Sequence, residues 1–345
     1  MSKAPCRLAV IGLGMASKPH LEALQELSSS ITVSGIYNRS PAPAENISSK
    51  TGYKIFDSIT AIANDPETDG AIVITPPNQR QQIVEALAAG GKHILMEKPV
   101  ERTTEAALQI VTSCEQAKVK LGIVFQHRFR VGAKRLTELL AQQALGDIKL
   151  VRADIPWWRE QSYYDVPGRG SYERDGGGVL ISQAIHVLDY MLSVIGPAKS
   201  VQAMMATTAF HQMEAEDFAT AGIQFQSGAV GSVVATTATF PGATESLTID
   251  GSLGSATLKA GQLQVNWRDG RHEELGEVTG TGGGTDPMAF PCDWHRDLIA
   301  DFANAIQQDT VPAISGREAL TVHALIDAIV ASSRSGKLSN VETVS

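Results

Sequence analysis

Cysteine is scarce. The 345-residue chain carries three, Cys6, Cys114 and Cys292, too far apart to suggest a disulfide framework or a zinc pattern. A reducing cytoplasm suits that usage, and no metal site is expected. Positive charge is also short. Lys and Arg number 29 against 37 Asp and Glu, for a formal net charge of −8. General affinity for nucleic acid or anionic membrane needs a clustered positive field, so both are excluded as expectations. Long apolar runs are missing too. After Met-Ser-Lys-Ala-Pro-Cys-Arg the first apolar run ends at Ile11, too short for a signal-peptide core or a membrane span. No internal repeat is visible. What is present is a globular composition, 43% hydrophobic, in a chain long enough for two domains.

The first 126 residues alternate apolar runs with amphipathic stretches. The runs are Leu8–Ile11, Ile31–Tyr37, Tyr53–Phe56, Ala71–Thr75, His93–Met96 and Leu121–Gln126; Gln81–Ala89 and Thr104–Ala117 are among the helical segments. Ser17 is positioned to cap the opening helix and Pro19 to sit in its first turn. Strands apolar throughout, separated by helices, predict a parallel sheet covered on both faces, a doubly wound α/β fold. After Gln126 the pattern changes. A helix, Val131–Gln143, precedes a long polar and aromatic stretch, Trp157–Gly178, and a helix, Val179–Val194. From Ser200 to Gly270, alternating strands with close turns predict an antiparallel sheet. A glycine-rich stretch, Thr279–Thr285, reads as mobile, and helices Trp294–Gln307 and Arg317–Ser333 follow. The expected division is a dinucleotide-binding domain over 1–126 and a substrate-binding domain over 127–345.

The first strand runs into Gly12-Leu13-Gly14-Met15-Ala16-Ser17. The first glycine permits a tight turn, and the second lets the backbone approach a pyrophosphate seated on the amides of Met15 and Ala16. Ser17 stands where a third glycine is usual. The motif lies between a first strand and a first helix, the context this chemistry requires; the alternative is a purely structural glycine turn. The second strand ends Asn38-Arg39-Ser40. No acidic residue is placed for the ribose hydroxyls of NAD, whereas Arg39 and Ser40 suit a 2′-phosphate, which favours NADP. The alternative is NAD held through Asn38, with Arg39 stacked on adenine or solvated.

Glu97-Lys98-Pro99 closes the fifth apolar run, where ligands of doubly wound sheets bind. Lys98 is expected to polarise a carbinol or carbonyl oxygen, with Glu97 orienting it. A surface lysine before a loop proline is the plain alternative. The second element is Gly176-Gly177-Gly178 leading to Ser182, Gln183, His186 and Asp189. Ser182, His186 and Asp189 share a face at helical spacing, and a histidine suits proton exchange with an alcohol near neutral pH. The competing account is a buried histidine satisfied by Asp189.

These pieces resemble the Gfo/Idh/MocA family of sugar and cyclitol oxidoreductases. The matching residues are Gly12-Leu13-Gly14 with His20, Thr75-Pro76-Pro77, Glu97-Lys98-Pro99, the glycine triplet with His186 and Asp189, Trp294-His295 through Asp301-Phe302, and Ser315-Gly316-Arg317-Glu318. The resemblance spans nearly the whole chain. It implies an N-terminal Rossmann domain, a C-terminal α/β domain with a large open, mostly antiparallel sheet, pairing of subunits on that sheet into a dimer or tetramer, and Lys98 and His186 as the catalytic pair. It places Thr75 and Pro76 beside the cofactor. Two positions depart from it: Ser182 replaces an aspartate common four residues before the histidine, and Arg80 replaces a histidine often found after Thr-Pro-Pro.

On the substrate side, Gln126-His127-Arg128-Phe129-Arg130 and the loop residues Trp157, Trp158, Arg159, Tyr163, Tyr164, Arg169 and Asp175 are placed to reach the cleft; Gln126, Arg128, Trp158, Tyr164 and Arg169, with Ser182, Gln183 and His186, are the expected ligands. Aromatic faces beside charged and amide groups suit a sugar. Arg128, Arg159 and Arg169 could hold the carboxylate or phosphate of an acidic or nucleotide-linked sugar, or pair with Asp154, Glu160, Asp165 and Glu173. The expected activity is hydride transfer between NAD(P) and a secondary alcohol or ketone of a sugar, sugar acid, cyclitol or related polyol. Two other functions stay open: a glycosidase or lyase that uses a retained NAD transiently, and a non-catalytic dinucleotide-binding sensor.

Overall fold

The computed structural model describes residues 4–280, 282–284 and 290–344. Two compact units divide the chain. The first comprises Met1–Glu101, Glu105–Phe125 and Pro291–Leu320; the second comprises Arg102–Thr104, Gln126–Phe290 and Thr321–Ser345.

In the first unit five strands, β1 (Cys6–Ile11), β2 (Ile31–Tyr37), β3 (Gly70–Val73), β4 (His93–Glu97) and β5 (Leu121–Val124), form a wholly parallel sheet in the order β2-β1-β3-β4-β5. Leu8 to Ile11 and all of β3 are buried, as strands covered on both faces require. The expected strand at Tyr53–Phe56 shrinks to one parallel bridge, Ile36 to Ile55, held by Ile36 N donating to Lys54 O and Phe56 N to Ile36 O. With that bridge counted beyond β2, the order becomes the dinucleotide-binding one, reversing next to β1. The helix Asp293–Gln308 packs on Ser17–Glu26, and Ile123 N donates to Ile314 O. A segment from late in the chain therefore completes this unit.

The second unit is built on nine strands: β6 (Ile148–Pro156), β7 (Ala198–Ala206), β8 (Phe218–Phe225), β9 (Val230–Thr236), β10 (Ser246–Gly251), β11 (Gly254–Lys259), β12 (Gln262–Trp267), β13 (His272–Leu275) and β14 (Ser339–Asn340). Their order is β13-β12-β11-β10-β6-β9-β8-β7-β14, antiparallel except for β6 beside β9. Burial alternates: Val151, Ala153 and Ile155 of β6 are covered while Leu150, Arg152 and Asp154 are exposed. One face is thus packed and the other open, the pattern of a one-sided sheet. The expected helix over Val179–Val194 is two pieces, a π turn over Leu180–Ala184 and an α-helix over Ile185–Ile195. Within the glycine-rich stretch, residues 281 and 285 lie outside the described residues; Gly283 O accepts from Trp158 N. No helix among the described residues is long and apolar enough to cross a membrane.

Candidate active site

The first glycine of the loop after β1 is required by crowding. Gly12 has φ +92°, and a Cβ there would lie 2.9 Å from the carbonyl carbon of Ile74. Only glycine takes that backbone without strain. Gly14 is the opposite case: a Cβ would meet nothing within 4 Å, and the residue is exposed with Met15. The helix Ser17–Glu26 opens here with no side-chain cap, so the amides of Met15 and Ala16 find no protein acceptor among the described residues. Ser17 does not cap this helix as expected; it is the first helical residue, and its hydroxyl donates to Gly14 O at 2.7 Å.

Asn38 ties the end of β2 to this loop. Its Oδ1 accepts from Leu13 N at 2.9 Å and its Nδ2 donates to Ser40 O at 2.8 Å. Arg39 and Ser40 are exposed. Across the loop, Thr75 Oγ1 is buried without a hydrogen-bond partner, next to Pro76. Open amides, room above Gly14 and an orphan hydroxyl fit the pyrophosphate half of a dinucleotide.

Arg80 decides how the neighbouring loops are held. It is 2% exposed. Its Nε and Nη2 donate to Thr75 O at 2.9 and 2.7 Å, Nη2 reaches Lys98 O at 3.4 Å, and Nη1 donates to Glu97 O and Pro99 O. Burial pushes its pKa down to about 10, against the pull of Glu97 and Glu101. One guanidinium thus gathers the carbonyls of both segments expected to face a nicotinamide. Below them Glu97 Oε1 meets His20 Nε2 at 2.8 Å, and the His20 ring lies edge-on to His295 at 4.8 Å. Burial acts to raise the Glu97 carboxyl; the His20 hydrogen bond and the charges of His20, His295 and Lys98 outweigh it and bring the pKa down to about 2. His295 is pushed down to about 3 by burial and by His20. Among the described residues these three form the one set of metal-ligand types within 4.8 Å of one another. Ligands around a tetrahedral ion stand roughly 3.3 Å apart, so the 2.8 Å His20–Glu97 separation is that of a shared proton.

In the second unit, His186 lies in the fully buried first turns of Ile185–Ile195. Glu216 holds the approach to that helix: its Oε2 accepts from Gly178 N and its Oε1 from Leu180 N, both at 3.1 Å. Burial raises the Glu216 carboxyl above its ordinary range. Gly178 has no room for a side chain, since a Cβ would sit 1.7 Å from Glu216 O. The His186 ring stacks on His127 at 4.7 Å and 23°. His127 Nε2 lies 2.6 Å from Arg130 Nη2, Arg130 Nη1 donates to Glu245 Oε1 at 2.6 Å, and Trp157 Nε1 donates to Glu245 Oε2 at 3.2 Å.

Several expected substrate ligands are engaged elsewhere. Arg128 grips Asp189 with two bonds of 2.7 Å, so its fork faces a carboxylate of its own chain, and Asp189 is held by an arginine. The Tyr164 hydroxyl bonds Thr237 Oγ1 at 2.7 Å in the interior. Trp158 is 8% exposed, its Nε1 donates to Glu160 at 2.8 Å, and its ring packs edge-on against Phe210 and Phe240. Ser182 N donates to Gly178 O, four residues back, but Ser182 itself sits in the π turn Leu180–Ala184, whose wider pitch departs from the α-helical spacing expected between Ser182 and His186. Gln126 and Gln183 are buried, each with an Oε1 lacking a partner. Arg169 Nη1 donates to the hydroxyl of Tyr163, at 2.7 Å. The sequence reading missed Glu216 and the carbonyl-gathering role of Arg80. The departure from the family pattern at Arg80 was the available signal for it; nothing local marked Glu216.

Comparison with known proteins now decides the family. The model of an oxidoreductase family with an NAD-binding Rossmann fold matches residues 6–125, and the GFO/IDH/MocA C-terminal domain matches residues 133–257. The chain belongs to the Gfo/Idh/MocA family. Among curated relatives, an uncharacterized oxidoreductase of Synechocystis is 29% identical over 60% of this chain and 56% of its own length. The rhizopine catabolism protein MocA of Rhizobium meliloti is 30% identical over 55% of this chain and 57% of its own. The matched part of the chain thus spans little more than half the length of these curated relatives. Among solved structures, the WlbA dehydrogenase of Bordetella pertussis, in complex with NADH and UDP-GlcNAcA, is 28% identical with a TM-score of 0.84, covering 99% of this chain and 100% of that one.

Proposed function

We propose that this chain is a nicotinamide-dependent oxidoreductase acting on a secondary alcohol or ketone of a sugar, sugar acid, cyclitol or related polyol. The observation that carries the reading is the cradle at the end of β1: open amides at Met15 and Ala16, space above Gly14 and the orphan Thr75 hydroxyl. Its family membership and its likeness to a dehydrogenase solved with NADH support it. A bound nicotinamide would supply hydride acceptance or donation. Gly12, Gly14, Met15, Ala16, Thr75 and Pro76 would hold the dinucleotide, with Glu97 and Lys98 at the nicotinamide end. Lys98 would polarise the substrate oxygen, Glu97 would orient Lys98, and His186 would exchange the hydroxyl proton. Gln126, Gln183 and Ser182 would bind substrate hydroxyls.

For the cofactor we favour NADP over NAD. The Asn38 amide is engaged with Leu13 and Ser40, no carboxylate ends β2, and Arg39 and Ser40 are exposed beside it. A guanidinium and a hydroxyl there suit a 2′-phosphate. The open face of the nine-stranded sheet, with Leu150, Val230, Val234 and Met204 exposed, is the surface on which we expect two copies to pair. The buried thiols of Cys6 and Cys114, both pushed up to about 12 by burial, suit a reducing cytoplasm.

The test is a panel of sugars, sugar acids, cyclitols and nucleotide sugars with NAD or NADP, followed at 340 nm. Reduced cofactor appearing with one substrate class establishes the activity and the cofactor together. Silence across the panel with dinucleotide still bound would turn the reading towards a retained-cofactor glycosidase or lyase, or a sensor.

A further inference from the structure

Two arginines of the second unit lie side by side, and no carboxylate among the described residues pairs with either. Arg159 is 3% exposed, and its Nη1 donates to the carbonyls of Trp158 and Gly284 at 2.8 and 2.7 Å. Its Nε is buried with no partner, as is the Nε of Arg169. Both guanidiniums lie over the Tyr163 ring, at 5.5 and 4.4 Å from its centre. Buried cations are ordinarily paired with an anion. Here the nearby acids are engaged elsewhere: Glu160 accepts from Trp158, Asp165 from Gln161, and Asp175 from Gly170. Burial lowers the Arg159 pKa, and the neighbouring Arg169 lowers it further. The electrostatic arrangement is two like charges held together with no counter-charge among the described residues.

The polar groups around them complete a pattern. The Tyr163 oxygen receives Arg169 Nη1 at 2.7 Å and Gln183 Nε2 at 3.4 Å. With its lone pairs used, that phenol is left with a hydrogen to donate. Gln183 is 4% exposed and its Oε1 has no donor. The cluster therefore offers several N–H and O–H donors and one orphan acceptor. An oxyanion answers the donors, and a hydroxyl beside it answers the Gln183 oxygen. Gln183 stands three residues before His186 in the same helical run.

We propose that Arg159, Tyr163, Arg169 and Gln183 form an oxyanion subsite that selects a sugar bearing a carboxylate or a phosphate next to a free hydroxyl. The inference rests on reading this unit as the substrate-binding part of the protein, and it narrows the substrate to anionic sugars. Arg128 takes no part, because Asp189 already fills its fork.

The experiment is calorimetric titration of the full chain with glucuronate, glucose 6-phosphate and glucose, each with and without NADPH. At least one anion should bind more tightly than glucose. Glucuronate alone identifies a carboxylate as the selected group, and glucose 6-phosphate alone a phosphate. Arg169→Gln, at a half-buried position, should weaken binding of that anion about tenfold to a hundredfold, the range for hydrogen bonds to charged groups. Tyr163→Phe, which keeps the ring, should weaken it about tenfold, and NADPH affinity should stay unchanged in both variants. Neither anion binding better than glucose would overturn the proposal, as would variants that bind the anion like the parent protein. NADPH failing to bind while the anion binds would instead defeat the dinucleotide reading and leave this subsite standing.

Discussion

Replacing Arg80 by methionine separates two jobs that a buried arginine can have. Met fills most of the same volume, so little cavity opens, but every donor is removed. Holding the guanidinium at a pKa of about 10 rather than 12.5 corresponds to about 3 kcal/mol against the charged form. The Glu97 and Pro99 carbonyls that it satisfies are buried, and each orphaned acceptor costs about 1–3 kcal/mol. The two effects oppose each other in Arg80→Met. The net loss of stability should stay below about 3 kcal/mol, a shift of Tm by less than about 10 °C for a unit of this size. Position should suffer more than stability. Freed of its ties, the loop of Glu97, Lys98 and Pro99 should exchange amide hydrogens faster at Val100 and Glu101, and kcat should fall about 100-fold, as displacements near 1 Å can produce. The assays are a thermal melt, hydrogen exchange followed by mass spectrometry, and steady-state turnover on the substrate found by the panel. A large loss of Tm with normal turnover in the surviving protein would show that Arg80 merely stabilises the fold, and the positioning argument would be wrong.

Acid should destabilise the first unit in two stages. His295 is held near 3, below its unfolded value of 6.5, so the unfolded chain takes up that proton first and stability is lost as the pH falls from about 6.5 towards 3. Glu97, held near 2 against 4.5, adds a loss as the pH falls from about 4.5 towards 2; melts between pH 8 and 4 should show the first stage, flattened in His295→Asn. Arg39→Ala should raise KM for NADP about tenfold or more and leave KM for NAD within a factor of two; equal effects on both would return the preference to NAD. Gly178→Ala should cost at least about 3 kcal/mol, read as a lowered Tm or loss of soluble protein, because its Cβ would meet the Glu216 carbonyl. Sedimentation at micromolar concentration should find a dimer or larger, and a monomer would leave the open sheet face without its proposed cover.

Much of the architecture is legible in the residues because parallel strands buried on both faces are apolar throughout. Leu8–Ile11, Ala71–Val73 and Ile94–Met96, all buried, are visible for that reason. Tyr53–Phe56 has the same look but only Ile55 bridges, since an apolar run cannot say how many ladder bonds it makes. The π turn at Leu180–Ala184 was invisible: its residues are nearly all buried, so no polar face betrays the change of pitch. Partners were harder than elements. The acids closest in sequence to Arg128 and Arg169 are not the groups that hold them; Asp189 and Tyr163 come from elsewhere in the fold or from across a loop. Tyr163 and Tyr164 are chemically identical neighbours, and only the packing sends one hydroxyl to Thr237 and brings the other to Arg169.

The first unit is not contiguous. His295, stacked edge-on to His20, and Ile314, bonded to Ile123, come from a segment that follows eight of the nine strands of the second unit's sheet in the chain. During synthesis, five strands and their helices leave the ribosome long before the piece that covers them. At roughly 5–20 residues per second, the gap between Val124 and His295 leaves that face waiting for about 10–30 seconds. The unit written first is finished late, and a nascent chain stalled within the second unit would present an uncovered apolar surface to chaperones.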